Sequence, residues 1–183
     1  TAAWLQAQGV QAGDRVALFM HNAPHYLPLM WGAWWAGAVV VPVNAKLHPR
    51  EAAWIIGHSA SRIAFCDADG QDALQSAVAE RTLNVRVQAQ TCFLDDAALP
   101  QAPLCPRDDD DPAWLFYTSG TTGRPKGVVL CARQLRWCAV AYLASVQSVS
   151  AGDTMLHPAP LSHGGGMYHL PYEIGRASWW VRV

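Results

Sequence analysis

The sequence predicts the α/β class, with parallel or mixed sheets sandwiched by helices. Two observations carry the prediction. Short segments that are apolar on both faces alternate with segments of helical spacing, the order that βαβ units produce. The composition, 51% hydrophobic and 15% charged over 183 residues, suits a chain with a sizeable core and excludes a disordered polymer.

Taken in order, residues 1–8 read as a short amphipathic helix stopped by Gly9, and residues 15–20 as a strand. A helix is expected over 24–36, ended by Gly37, and the β-branched run 39–43 is a second strand. Pro49 suits a first helical turn and Glu51 the positive end of the helix dipole, which predicts a helix over 49–59. Residues 62–66 give a third strand and 72–80 a further helix. Residues 91–112 hold Pro100, Pro103, Pro106 and the run Asp108-Asp109-Asp110-Asp111, and read as a solvated connection. Then come a strand at 113–117, a Gly/Thr-rich loop at 118–127 and a strand at 128–130. A long helix over 132–148, a strand at 153–157, a helix over 165–174 and a strand at 178–183 complete the reading.

The 13 basic and 14 acidic residues leave a net charge of −1, which argues against nucleic-acid binding driven by basic charge. Lysine is scarce: Lys46 and Lys126 stand against eleven arginines. Residues 16–45 contain no Asp, Glu, Lys or Arg, long enough to raise a membrane span. Pro24, Pro28, Gly32, Gly37 and Pro42 punctuate that run, so it reads as strand, helix and strand in a globular core, with no integral membrane span. The five cysteines are odd in number and lack C-x-x-C spacing, which argues against a disulfide framework or a zinc cluster and for a reducing, cytoplasmic setting. Cys131 and Cys138, seven apart, are expected to pack apolar surface on one helix face.

The segment Tyr117-Thr118-Ser119-Gly120-Thr121-Thr122-Gly123-Arg124-Pro125-Lys126-Gly127 has the chemistry of a phosphate cradle. Four hydroxyls fall at 118, 119, 121 and 122, glycines let the backbone approach an anion, and Lys126 supplies a point charge after a Pro-stiffened turn. A Walker A loop does not fit, because Gly127 follows the lysine and strands flank both sides; a Rossmann G-x-G-x-x-G is absent.

Residues 117–130, YTSGTTGRPKGVVL, resemble the phosphate-binding signature of the adenylate-forming enzymes, among them acyl- and aryl-CoA synthetases. Pro160-Leu161-Ser162-His163-Gly164-Gly165-Gly166 resembles that family's next motif, and Gly13-Asp14-Arg15-Val16-Ala17 and the stretch 34–44 resemble its N-terminal subdomain. The resemblance implies a partial N-terminal domain of an adenylate-forming ligase: residues 1–107 as part of an α/β subdomain, 108–183 as the phosphate-loop and acyl-site region, and no C-terminal lid domain. It implies a two-step reaction in which a carboxylate attacks the α-phosphate of ATP and coenzyme A then takes the acyl group. Thr118, Ser119, Gly120, Thr121, Thr122, Gly123 and Lys126 would contact ATP, magnesium would offset the phosphate charge, and Lys126 and His163 would be the catalytic residues, with His163 beside the carboxylate. Ser162-His163-Gly164 leans toward fatty or related acyl substrates.

The family's Thr-Glu dipeptide is absent and no lysine follows Lys126, where the family carries a lid lysine. The chain also begins at Thr1 and ends in an apolar run. These features lead us to expect an incomplete chain that does not turn over alone, whose apolar surface is covered by the rest of the enzyme or by a second copy. The alternative within the same family is a non-catalytic nucleotide-binding or inert fragment. A serine hydrolase is a weaker reading. His163-Gly164-Gly165-Gly166 resembles an oxyanion loop, but Gly57-His58-Ser59-Ala60-Ser61 ends in Ser where the elbow needs Gly, and the order is reversed.

Overall fold

The computed structural model describes residues 1–93, 101–118, 125–176 and 178–181. A six-stranded sheet has the order β4-β3-β1-β2-β5-β6, formed by β1 (Arg15–Phe19), β2 (Val39–Val43), β3 (Ser61–Cys66), β4 (Arg86–Ala89), β5 (Pro112–Thr118) and β6 (Lys126–Cys131). The first five run parallel and β6 closes the edge antiparallel to β5. A separate pair, β7 (Thr154–His157) and β8 (Ser178–Val181), is parallel. The fold is therefore α/β with a mixed sheet, as the alternation of segments predicts.

Two cores explain why the strands are apolar throughout. Side chains alternate across a strand, so Val16, Leu18, Val40, Ile63 and Phe65 enter one core with α1 (Ala2–Ala7) and α2 (Tyr26–Trp35). Their neighbours Ala17, Phe19, Val41, Val43, Ala64 and Cys66 enter the other with α3 (Pro49–His58) and α4 (Gln71–Glu80). Both faces are covered, the condition that removes polar alternation from parallel strands.

Local chemistry fixes the element ends. At the start of α3, Arg50 N–H donates to His48 Nδ1 and His48 N–H to a Glu51 carboxylate oxygen, satisfying amides the helix leaves free. At its far end Arg15 donates to the carbonyls of Ser59, Ala60 and Gly13 at 2.8–3.0 Å, so the Gly13-Asp14-Arg15 motif closes a helix terminus. The acidic run has a similar task. The carbonyls of Asp109 and Asp111 accept from Arg133 and Ala132 N–H at the start of α5 (Ala132–Ser145), and Arg136 and Arg133 pair with the side chains of Asp109 and Asp110.

Several expectations need correction. The strand β4 escapes the sequence pattern, because Arg86-Val87-Gln88-Ala89 is an edge strand that buries only Val87. The helix expected from 165 is a turn of 3-10 helix at Gly164–Gly166 followed by α6 (His169–Ile174). Cys131 and Cys138 do not share a packed face. Cys131 is the residue before α5, and Cys138 is exposed because α5 buries Leu135 and Ala139 instead. The β6 residues Val128 and Val129 and the α5 residues Trp137 and Val140 are also exposed. Among the described residues, no helix is long and apolar enough to cross a membrane.

Candidate nucleotide and carboxylate site

The phosphate-cradle segment is the connection of the β5–β6 hairpin. Thr118 pairs with Lys126 in the register, Tyr117 with Gly127 and Phe116 with Val128. Directly paired residues of antiparallel strands lie on one face, so Thr118 and Lys126 share a face at the mouth of the hairpin, and both are exposed. Lys126 is the first residue of β6 rather than part of the loop. Ser119, Gly120, Thr121, Thr122 and Gly123 lie outside the described residues. The mouth is at the C-terminal end of β5, which runs parallel to β2, and that end of the sheet is where open α/β sheets bind ligands.

The second motif is built onto the same strand. Trp114 of β5 is fully buried, and the Gly164–Gly166 turn packs on it. A Cβ at Gly166 would lie 1.9 Å from the Leu161 carbonyl oxygen and 3.2 Å from the Trp114 ring, so this glycine is dictated by close packing. Gly164 meets nothing within 4 Å, which leaves it as the open member of the triplet. Asn22, just past β1, fixes the approach: its amide donates to the carbonyls of Ala159 (2.9 Å) and His157 (3.2 Å), and its oxygen accepts from Leu161 N–H (2.8 Å). This presents His163 on an exposed turn, its Nδ1 3.1 Å from Ser162 Oγ.

Where the ends of β1 and β2 meet the second motif lies a cleft of ≈ 410 Å³ lined by His21, Asn22, Asn44, Lys46, Pro160 and Ser162. The His21 ring and amide both contact the Asp67 carboxylate, at 2.6 and 3.0 Å, and Gln90 donates to the other carboxylate oxygen. A larger cleft of ≈ 630 Å³ lies at the opposite, N-terminal ends of β1, β3 and β4. Its three arginines already have partners, Arg15 three carbonyls, Arg62 the Asp14 carboxylate at 3.9 Å, and Arg86 both Gln8 and the face of Trp4, and we assign it no chemistry.

Beneath the second motif lie two buried histidines. His169 is fully buried, donates from Nδ1 to the Gly166 carbonyl (2.5 Å) and stacks on Trp34. Burial pushes it down to about 4; the Gly166 hydrogen bond opposes this and the nearby His157 adds to it. Burial also lowers His157. Their Nε2 atoms and the Trp114 Nε1 have no hydrogen-bond partner among the described residues. Among the described residues no three His, Cys, Asp or Glu side chains converge in a metal-binding group.

The sequence profile described as AMP-binding enzyme matches residues 1–174. The chain belongs to that family. Relatives within it include the sulfoacetate–CoA ligase of Cupriavidus necator, 35% identical over 170 residues, and the feruloyl-CoA synthase of an Amycolatopsis species, 36% identical over 169 residues. These alignments cover 88% and 91% of this chain and 33% of each relative, so the chain spans about a third of the length of the curated relatives it matches. Among solved structures, ATP-bound MatB from Rhodopseudomonas palustris superposes with a TM-score of 0.88 at 26% identity, covering 100% of this chain and 37% of that one. The inhibitor-bound N-terminal domain of FACL13 from Mycobacterium tuberculosis gives 0.89 at 28% identity, covering 99% and 47%.

Within this AMP-binding fold the hydrolase reading fails. Ser59 is buried, with Oγ donating to the Ile56 carbonyl and meeting Ser61 Oγ at 2.7 Å, and its neighbour His58 bonds Tyr117 instead. Three features escape the sequence reading: Asn22 as an anchor, Lys46 in a cleft, and the contact of His58 with Tyr117. The scarcity of lysine is the one signal that bears on the second.

Proposed function

We propose that this chain forms the nucleotide-phosphate side of an AMP-forming acid–CoA ligase. The supporting observation is the β5–β6 hairpin of a family member, which presents a hydroxyl (Thr118) and the ammonium-bearing Lys126 on one face at the ligand-binding end of the sheet. In this reading Thr118, Ser119, Gly120, Thr121, Thr122 and Gly123 hold the ATP phosphates by short donors, and Lys126 offsets their charge. A carboxylate held beside His163 attacks the α-phosphorus. The new oxygen–phosphorus bond forms as the bond to pyrophosphate breaks, giving acyl-adenylate. The thiol of coenzyme A then adds to the acyl carbon, loses its proton and expels AMP. In this reading magnesium would accompany the nucleotide and offset the charge of its phosphates.

Residues 1–107 serve as scaffold in this scheme and 108–183 carry the phosphate and carboxylate motifs. The acid is of fatty or related acyl type, and the enzyme works in the cytoplasm. Carboxylate-dependent exchange of pyrophosphate into ATP tests the reading. The complete enzyme should exchange with an acyl acid, and loss of exchange in Lys126→Ala is expected. Exchange that persists in that variant would refute the assignment. The 183 residues alone should show none, since no lysine follows Lys126 to serve the closing step.

A further inference from the structure

We propose that Tyr117, held by His58, is a positioning residue for Lys126; the proposal rests on the assignment of Lys126 to the ATP phosphates. Tyr117 immediately precedes Thr118 at the end of β5, and its hydroxyl lies 2.7 Å from His58 Nδ1 on α3, a contact between residues 59 apart in sequence. His58 is itself fixed: its ring stacks on Trp54 one turn earlier, with centroids 4.8 Å apart and planes within 17°. The Tyr117 ring meets both edge-on, His58 at 5.8 Å and Trp54 at 6.5 Å.

The other side of the ring lies across β6. Tyr117 is paired with Gly127, and a Cβ at Gly127 would lie 3.1 Å from Tyr117 Cζ and 3.3 Å from Leu115 Cδ1. Only a residue without a side chain lets the ring lie against that backbone, next in chain to Lys126. The ring thus spans both strands at the hairpin mouth and ties them to α3. Near the hairpin mouth β6 itself is open to solvent, with Lys126, Val128 and Val129 exposed, and exposed hairpin ends open easily. A cation on a flexible stem acts on a phosphate only as well as its backbone is placed. The clamp supplies that placement without touching the ligand.

The two lysines make the test direct. Reductive ¹³C-methylation keeps their charge and gives separate NMR signals for Lys46 and Lys126 beside that of the N-terminus. MgATP should move the Lys126 signal in the unmodified chain. Tyr117→Phe, which keeps the ring and deletes only the hydroxyl, should shift the Lys126 signal before nucleotide is added, leave Lys46 in place, and weaken MgATP binding about fivefold to tenfold, the effect of one lost hydrogen bond. His58→Ala should do the same, and His58→Asn, which retains a group near the Nδ1 position, should restore most of the affinity. Variants with lowered urea midpoints but an unmoved Lys126 signal and unchanged affinity would show a merely structural contact and overturn the proposal. A Lys126 signal indifferent to MgATP in the unmodified chain would instead refute the nucleotide assignment, while the nucleotide-free shifts would still decide the clamp.

Discussion

Acidification should destabilise this protein through His169, and the size of the effect follows from its burial. The ring is fully buried, donates to the Gly166 carbonyl and has no partner at Nε2 among the described residues. Burial pushes it down to about 4 from an ordinary value of about 6.5. Above about pH 6.5 the ring is neutral in both the folded and the unfolded chain. As pH falls below that value the unfolded chain takes up a proton that the folded chain refuses until about pH 4. The folded state therefore loses about 3 kcal/mol across this window, of which about 2 kcal/mol is lost between about pH 7 and about pH 4.5. That is a large fraction of the stability of an ordinary domain. Urea unfolding at the two pH values should show a midpoint lower by about 1 M in acid. Other groups titrate in the same range, His157 and the carboxylates included, so the decisive quantity is a difference between proteins. His169→Asn, which retains a donor near the Nδ1 position, should remove about 2 kcal/mol of the pH dependence whatever its own stability; His169→Phe serves if the Asn variant is poorly folded. An acid sensitivity equal in the variant and the unmodified protein would refute the reasoning.

Two further substitutions probe the second motif. Gly166→Ala places a methyl group 1.9 Å from a backbone oxygen that has nowhere to go, and should cost about 3 kcal/mol or more by urea unfolding, whereas Gly164→Ala, facing open space, should be nearly silent. Asn22→Ala removes three hydrogen bonds that tie residues 157–161 to the end of β1 and should cost about 2–4 kcal/mol; a loss below about 1 kcal/mol would mean the segment is held by packing alone.

The parts legible in the sequence are those where local pattern and tertiary burial agree. Val16, Leu18 and Ala17, Phe19 are apolar on alternate faces because helices cover both, and the uniform run states this directly. The strands β5 and β6 are legible because short apolar runs flank the Gly/Thr-rich segment. Where one side chain depends on a distant partner, the sequence is silent. Asn22 looks like a polar break in an apolar stretch, yet its partners lie 135 to 139 residues away. His58 sits in a segment suggesting a nucleophile elbow, yet its partner is the phenol that precedes the phosphate loop. In the sequence Gly127 reads as part of an anion-approaching segment and Gly166 as part of a family motif, but tertiary packing against Tyr117 and Leu161 requires both. Cys138 shows the reverse error: a seven-residue spacing suggests a shared face, but the packed stripe of α5 runs through Leu135 and Ala139.

Calorimetric titration of the chain with MgATP, beside the same titration of Lys126→Ala, tests the account most directly. The account predicts saturable one-to-one binding that disappears in the variant while its urea midpoint stays unchanged, since Lys126 is exposed and makes its contribution to the ligand rather than to the fold. Equal binding by both proteins, or none by the unmodified chain, would contradict it.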